Sequence, residues 1–163
     1  MKISIVYSSR TGNTKMLAEA IYNKKSINNE IAYFGEPADE ALDGDIIYLG
    51  FWTDKGTADN NTIELIRKIK NKRVFLFGTA GFGGSNEYFK TILHRVEQRF
   101  DISVDIIGDY MCQGRMPISV RERYVRLKDS NASIPNLDGM IENFDKALTH
   151  PNKHDIDALI NLI

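Results

Sequence analysis

Cysteine is nearly missing from this 163-residue chain: Cys112 stands alone. It cannot close an intramolecular disulfide, and no Cys and His group has the spacing of a zinc site, so the fold rests on packing alone. The three histidines, His94, His150 and His154, lack a partnered nucleophile in sequence context, so no catalytic acid, base or nucleophile set is expected. Long apolar runs are missing too. The stretch from Ile46 to Trp52 contains a glycine and ends after seven residues, against the roughly 20 that a membrane span needs. The opening MKISIVYSS turns polar after seven residues, too early for a secretory core; the expected location is the cytoplasm, with no membrane insertion. Nor does one charge dominate: 21 Lys and Arg against 22 Asp and Glu leave a net charge of −1, which argues against nucleic-acid binding. What is present, 42% hydrophobic and 10% aromatic residues, suits one globular domain over 1–163. Such a chain buries roughly 70% of the surface that it exposes when unfolded.

Hydrophobic periodicity alternates strands with helices. Residues 3–7 (ISIVY) read as a buried first strand, 31–34 as a second, 45–50 (DIIYLG) as a third, 73–78 (RVFLFG) as a fourth and 103–110 as an edge strand. Between them, 14–23, 58–70 and 88–100 repeat apolar residues at helical spacing. Strands so separated need long right-handed crossovers and hence a parallel sheet covered on both faces: a three-layer, doubly wound α/β fold. Ligands of such sheets sit beyond the carboxyl ends of the strands at a topological switch point, so the loops after strands one, three and four are the ones to read.

The first loop, Ser8 to Thr14, reads SSRTGNT, with four hydroxyl side chains, one Asn and one Gly. Between a buried strand and a helix start this is an anion cradle: successive N–H groups converge, the helix dipole favours negative charge, and hydroxyls add donors. Turn and N-cap chemistry accounts for one or two of these residues but poorly for the whole run. Rival phosphate folds fail on their own requirements. No G-x-x-x-x-G-K precedes a Ser or Thr. Gly81-Phe82-Gly83 follows strand four, not strand one, and lacks the third glycine of a dinucleotide fingerprint. A receiver domain needs acids where Ser8 and Ser9 stand.

The segment Ile5 to Ile21 resembles the phosphate-loop signature of flavodoxins: Ile5, Val6 and Tyr7 lead into Ser9, Gly12 and Thr14, and Ala18 and Ile21 follow on the helix. The resemblance implies five parallel strands in the order 2-1-3-4-5. It also implies that Ser9, Arg10, Thr11, Gly12, Asn13 and Thr14 surround the phosphate of flavin mononucleotide (FMN) through hydroxyls and main-chain N–H groups. Most flavodoxins hold this phosphate without a cation, which leaves two orientations open for Arg10. In the family the second loop, here FWTDKGTAD, packs against one side of the flavin. That makes Trp52 a candidate platform, the alternative being a core residue that caps the sheet. The same loop offers Thr53 to the phosphate, brings Asp54 and Lys55 beside the ring, and contains Gly56. In the family a glycine peptide here turns over when the flavin gains one electron, a motion that needs tolerance of positive φ. A cation at Lys55 departs from the acidic surroundings of many flavodoxins and would raise the potential. In the third loop, Thr79, Ala80, Gly81, Phe82 and Gly83 suit a backbone that closes on the pyrimidine edge of the ring; whether Phe82, Asn86 or Tyr88 faces the flavin stays open.

From about residue 113 the sequence diverges from a minimal flavodoxin. Pro117 suits a first helical turn, with Ile118, Tyr124, Val125 and Leu127 as its apolar side. Arg115, Arg121, Arg123, Arg126 and Lys128 against Glu122 give +4. That segment, 115–128, reads either as a docking surface for an acidic redox partner protein or as a solvated face. Residues 137–148 are expected to form the last sheet-covering helix, with Ile141, Phe144 and Leu148 inward, and 155–163 a short terminal helix. The expectation is an FMN-binding electron carrier, monomer or homodimer. One alternative is an FMN-dependent NAD(P)H reductase of quinones or other small acceptors. The other is a non-enzymatic accessory subunit that its basic segment docks on a reductase; the extended carboxyl terminus is also similar to that of short flavodoxin-like proteins accompanying tetrapyrrole (bilirubin) reductases.

Overall fold

The computed structural model describes residues 1–83, 85–130 and 133–163. Gly84, the last glycine of the third loop, lies outside the described residues. The strands are β1 (Lys2–Tyr7), β2 (Glu30–Gly35), β3 (Ile46–Asp54), β4 (Thr57–Ala58), β5 (Arg73–Ala80) and β6 (Asp105–Gln113). The helices are α1 (Asn13–Lys25), α2 (Asn60–Ile66), α3 (Asn86–Glu97), α4 (Ile118–Asp129), α5 (Leu137–Ala147) and α6 (Lys153–Ile160). Five parallel strands run in the order β2-β1-β3-β5-β6. This is the anticipated 2-1-3-4-5 once the short β4, which pairs antiparallel with β3, is set aside.

Alternating side chains of the central strands feed two cores, as a sheet covered on both faces requires. Ile47, Leu49 and Phe51 of β3, with Val74 and Leu76 of β5, pack against Ile63 and Ile66 of α2 and Ile92 and Val96 of α3. Ile46 and Tyr48, with Phe75 and Phe77, pack on the other side against Leu17 and Ile21 of α1 and Leu159 of α6. Phe51 and Phe77 are fully buried, each contributing about 1.5–3 kcal/mol of transfer free energy. Their places are made by glycines: β3 pairs with β5 so that Gly50 faces Phe77 and Phe51 faces Gly78. A Cβ on Gly50 would collide with the Phe77 ring, and one on Gly78 would come 2.5 Å from the Phe51 ring.

Beyond shifts of two or three residues at other boundaries, such as the edge strand, which is Asp105–Gln113 rather than 103–110, the observed elements differ from the sequence expectation in four places. β3 does not end at 50 but runs to Asp54 and turns back into β4 through Lys55 and Gly56, both at positive φ (52° and 80°). That is the two-residue hairpin geometry whose twist matches its strands. α2 begins only after Asp59 and ends at Ile66, where Lys68 and Ile69 donate to carbonyls three residues back and tighten the chain out of the helix. α6, not α5, joins α1 on the sheet, through Leu159 and Ile156. α5 instead lies along α4, with Phe144 and Ala147 buried and Leu148 47% exposed.

Candidate functional site

At the carboxyl ends of β1, β3 and β5 the three loops enclose a cleft of about 440 Å³, within the range of small-molecule sites. Arg10, Thr11 and Asn13 face it from the first loop; Trp52, Thr53, Asp54 and Lys55 from the second; Thr79, Gly81 and Phe82 from the third. The sequence-predicted residues therefore largely converge. The others stand behind the lining or beside it.

Gly12 sits at φ 87° as the residue before α1 and supplies no side-chain cap. Nothing lies within 4 Å of where its Cβ would be. The Ser9 hydroxyl accepts from the Lys15 N–H at 3.3 Å. This leaves the first N–H groups of α1, at Asn13 and Thr14, as donors without a helical partner at the positive end of the helix dipole. The Asn13 side chain is buried and its Nδ2 donates to the Arg115 carbonyl at 2.8 Å; its Oδ1 has no partner. Thr14 is fully buried: its hydroxyl lies 3.2 Å from the Phe51 carbonyl oxygen, which accepts from it, and 3.1 Å from the Thr79 hydroxyl. A hydroxyl expected at the phosphate is thus turned into the sheet, and the main-chain N–H is what Thr14 offers to the loop.

In the second loop Trp52 is half-buried on the cleft wall, with the Arg10 guanidinium 5.6 Å above its ring centroid, a cation–π distance. The Thr53 hydroxyl is engaged, donating to the Thr79 carbonyl at 2.8 Å. Gly56 lies outside the lining, its carbonyl accepting from Arg95 Nη1 of α3 at 3.1 Å. In the third loop Ala80 is buried and its carbonyl takes the Gly114 N–H at 3.0 Å. Gly83, at φ 101°, borders a separate depression.

Three features escaped sequence reading. Asp59, at the end of the second loop, is only 3% exposed. Its carboxylate accepts from the Ser8 hydroxyl at 2.7 Å and caps α2 through the Thr62 N–H (3.2 Å) and hydroxyl (2.8 Å). It ties the first loop to the second. The fourth wall of the cleft comes from the divergent segment: Gly114, Arg115, Met116, Pro117, Val120, Arg123 and Tyr124. Its signal was present, since Met116, Val120 and Tyr124 repeat every fourth residue. The basic residues of 115–128 consequently do not form one face. Arg121 pairs with Asp145 at 2.8 Å and Lys128 with Asp138 at 2.6 Å, both on α5, while Arg115 and Arg123 line the cleft. With Arg10 and Lys55 they place four cations around one carboxylate, Asp54, and among the described residues none of these four is ion-paired.

A larger depression of about 710 Å³ is bordered by Gln113, Glu142, Asn143, Lys146 and His150. Among the described residues its lining is polar side chains and glycine, with no Phe, Tyr, Trp, Leu, Ile, Val or Met, so the smaller, aromatic-walled cleft is the better fit for a planar ligand. His150 is occupied through Nδ1 with Asp155 Oδ2 at 2.7 Å, and Asp155 and Asn152 form the capping box of α6. Cys112 is buried, and burial followed by the Asp155 carboxylate pushes its thiol well above the ordinary range, so it is no nucleophile. No helix is long and apolar enough to cross a membrane among the described residues.

A family model described as a flavodoxin domain matches residues 4–163. The chain is 37% identical over 174 residues to the "flavodoxin-like domain-containing protein BilS" of Clostridium symbiosum, covering 97% of this chain and 92% of that one. It is 30% identical over 159 residues to the protein of the same name from Clostridioides difficile, covering 96% and 90%. Among solved structures, a flavodoxin of Megasphaera elsdenii superposes with a TM-score of 0.51 at 24% identity over 89% of this chain and 99% of that one. A flavodoxin of Streptococcus pneumoniae does so with 0.54 at 16% over 90% and 99%. The last two likenesses concern the fold.

Proposed function

The chain belongs to the flavodoxin domain family, and from that premise we propose that it binds one FMN noncovalently in the strand-end cleft and passes electrons between partner redox proteins. One observation carries the reading: a helix N-terminus whose N-cap residue, Gly12, has no side chain and whose first N–H groups have no helical partner adjoins, through Thr11 and Asn13, an aromatic-walled slot of about 440 Å³. The first suits a phosphate, because main-chain N–H groups and the helix dipole converge there. The second suits a planar ring. Both belong to the same cleft.

In this reading Thr11 and the N–H groups of Asn13 and Thr14 hold the phosphate. Arg10 is the nearest cation, released from Trp52 or shared with it. Trp52 and Phe82 bound the ring, a contact worth about 0.5–1.5 kcal/mol beyond area burial for each stacked aromatic. Met116, Val120 and Tyr124 exclude water from the α4 side. FMN, when bound, supplies the electron-accepting ring; the protein supplies orientation, dielectric and charge. The surplus of cations, Arg10, Lys55, Arg115 and Arg123, favours negative charge on whatever the cleft holds, a difference from carriers with acidic surroundings. A partner would dock beside the cleft, on the outer side of α4, where Ile118 is 61% exposed next to the exposed Arg126.

The test is anaerobic titration of the purified protein with FMN followed by desalting. Retention of flavin absorbance at one per chain, without steady NADH oxidation, supports a carrier. Steady NADH oxidation moves the protein to the reductase class. A protein that retains no flavin fits the accessory-subunit reading.

A further inference from the structure

The third loop is held from outside. Gln113 Nε2, at the end of β6, donates to the Gly81 carbonyl at 3.1 Å, and Asn143 Nδ2, on α5, donates to the same oxygen at 3.0 Å. Gln113 Nε2 also donates to Asn143 Oδ1 at 3.0 Å. The pattern is self-consistent: a carbonyl accepts only from the nitrogen end of each amide, and the second N–H of Gln113 then finds the oxygen of Asn143. Met116 closes the remaining side, for a Cβ on Gly81 would stand 2.5 Å from Met116 Cγ and 2.6 Å from its Sδ. All three residues lie in the divergent part of the chain, while Gly81 and Phe82 line the cleft.

In a trans peptide the carbonyl and the following N–H point in opposite directions. Turning the Gly81 carbonyl onto β6 and α5 therefore directs the Phe82 N–H away from them. We propose that Gln113 and Asn143 are positioning residues that lock the Gly81–Phe82 peptide, so that the third loop meets its ligand with a donor and withholds an acceptor. A cleft so arranged selects a ring edge carrying an unprotonated nitrogen or a carbonyl oxygen at that point. It discriminates against a ring that presents an N–H there, because the Gly81 carbonyl is turned away and already takes two hydrogen bonds. This gives the carboxyl-terminal third a role inside the site rather than only as an appendage. The ligand's identity rests on the FMN reading; the locked peptide does not.

Asn143→Asp keeps the shape and the acceptor for Gln113 but removes the donor to Gly81, and Gln113→Leu removes the other donor. In each variant the carbonyl-carbon NMR resonance of Gly81 moves upfield in the ligand-free protein, and FMN binding weakens about 5- to 10-fold, the loss of one partly buried hydrogen bond. Lys146→Ala, on the same helix as Asn143, changes neither. An unmoved Gly81 resonance overturns the lock, and a moved resonance with unchanged FMN affinity overturns its role in positioning. If the unaltered protein takes up no FMN, the functional reading fails and takes the ligand preference with it, while the Gly81 resonance still decides whether the lock exists.

Discussion

Replacing Asp59 with alanine tests how the first and second loops are joined. The carboxylate is 3% exposed and accepts three hydrogen bonds, one from Ser8 and two from Thr62. Loss of the α2 cap costs about 1 kcal/mol. The Ser8 hydroxyl, itself 6% exposed, loses an ionised acceptor, for about 1.5–3 kcal/mol. The sum is about 3 kcal/mol, a fall in Tm of about 6–12 °C for a chain of this size. Urea unfolding followed by circular dichroism should show the midpoint drop at constant slope. Asp59→Asn, which keeps one acceptor oxygen, should lose about half as much. The link across 51 residues of sequence is tested by a double-mutant cycle with Ser8→Ala, expected to give a coupling of about 1.5 kcal/mol or more. A loss under about 1 kcal/mol for Asp59→Ala, or additive single variants, would refute the reasoning.

Thr14→Val preserves shape and main-chain N–H but takes from the Thr79 hydroxyl its partner at 3.1 Å. It should destabilise by about 1–2 kcal/mol while FMN affinity changes little, and the opposite pattern in denaturation and binding titrations would place the hydroxyl on the phosphate. Lys55→Asn puts a residue tolerant of positive φ at 52° and creates Asn-Gly in a two-residue hairpin, so thermal melts should show a gain of about 0.5–1 kcal/mol. Cys112 should resist a thiol-disulfide reagent at pH 8 until the protein is unfolded. Because the native thiol keeps its proton where the unfolded one, ordinarily at 9.0, loses it, stability should fall as pH rises above about 9. The slope should approach 1.4 kcal/mol per pH unit, and Cys112→Ala should flatten that limb. Burial raises Tyr110 in the same direction, which extends the decline above pH 10.

What could be read from the sequence was what is local. The polar run between Tyr7 and the first helix, and the β-branched strands on either side of Gly50 and Gly78, announce themselves within a few residues; they suffice for a covered parallel sheet and for the position of the site, while the strand order follows from the resemblance to flavodoxins. The hairpin at Lys55 and Gly56 was hidden because Lys-Gly is a weaker turn signal than Asn-Gly, and β4 is two residues long. Asp59 looked like one more polar loop residue, since its partner Ser8 is brought near only by the β1–β3 pairing. The α4 wall depended on how the chain leaves β6. Gly114 packs against Asn13, with a hypothetical Cβ at 2.5 Å from its Nδ2, and no periodicity reports such a contact. The basic run was read as one surface because charge is visible in sequence and its partners on α5 are not.

The account turns on whether the cleft holds FMN. Stoichiometric FMN should survive desalting, quench the fluorescence of Trp52, the sole tryptophan, and be lost when Thr11 and Gly12 are replaced together by bulky residues that fill the loop. A protein that emerges colourless from the column, with Trp52 emission unchanged across the FMN titration, would contradict the central claim.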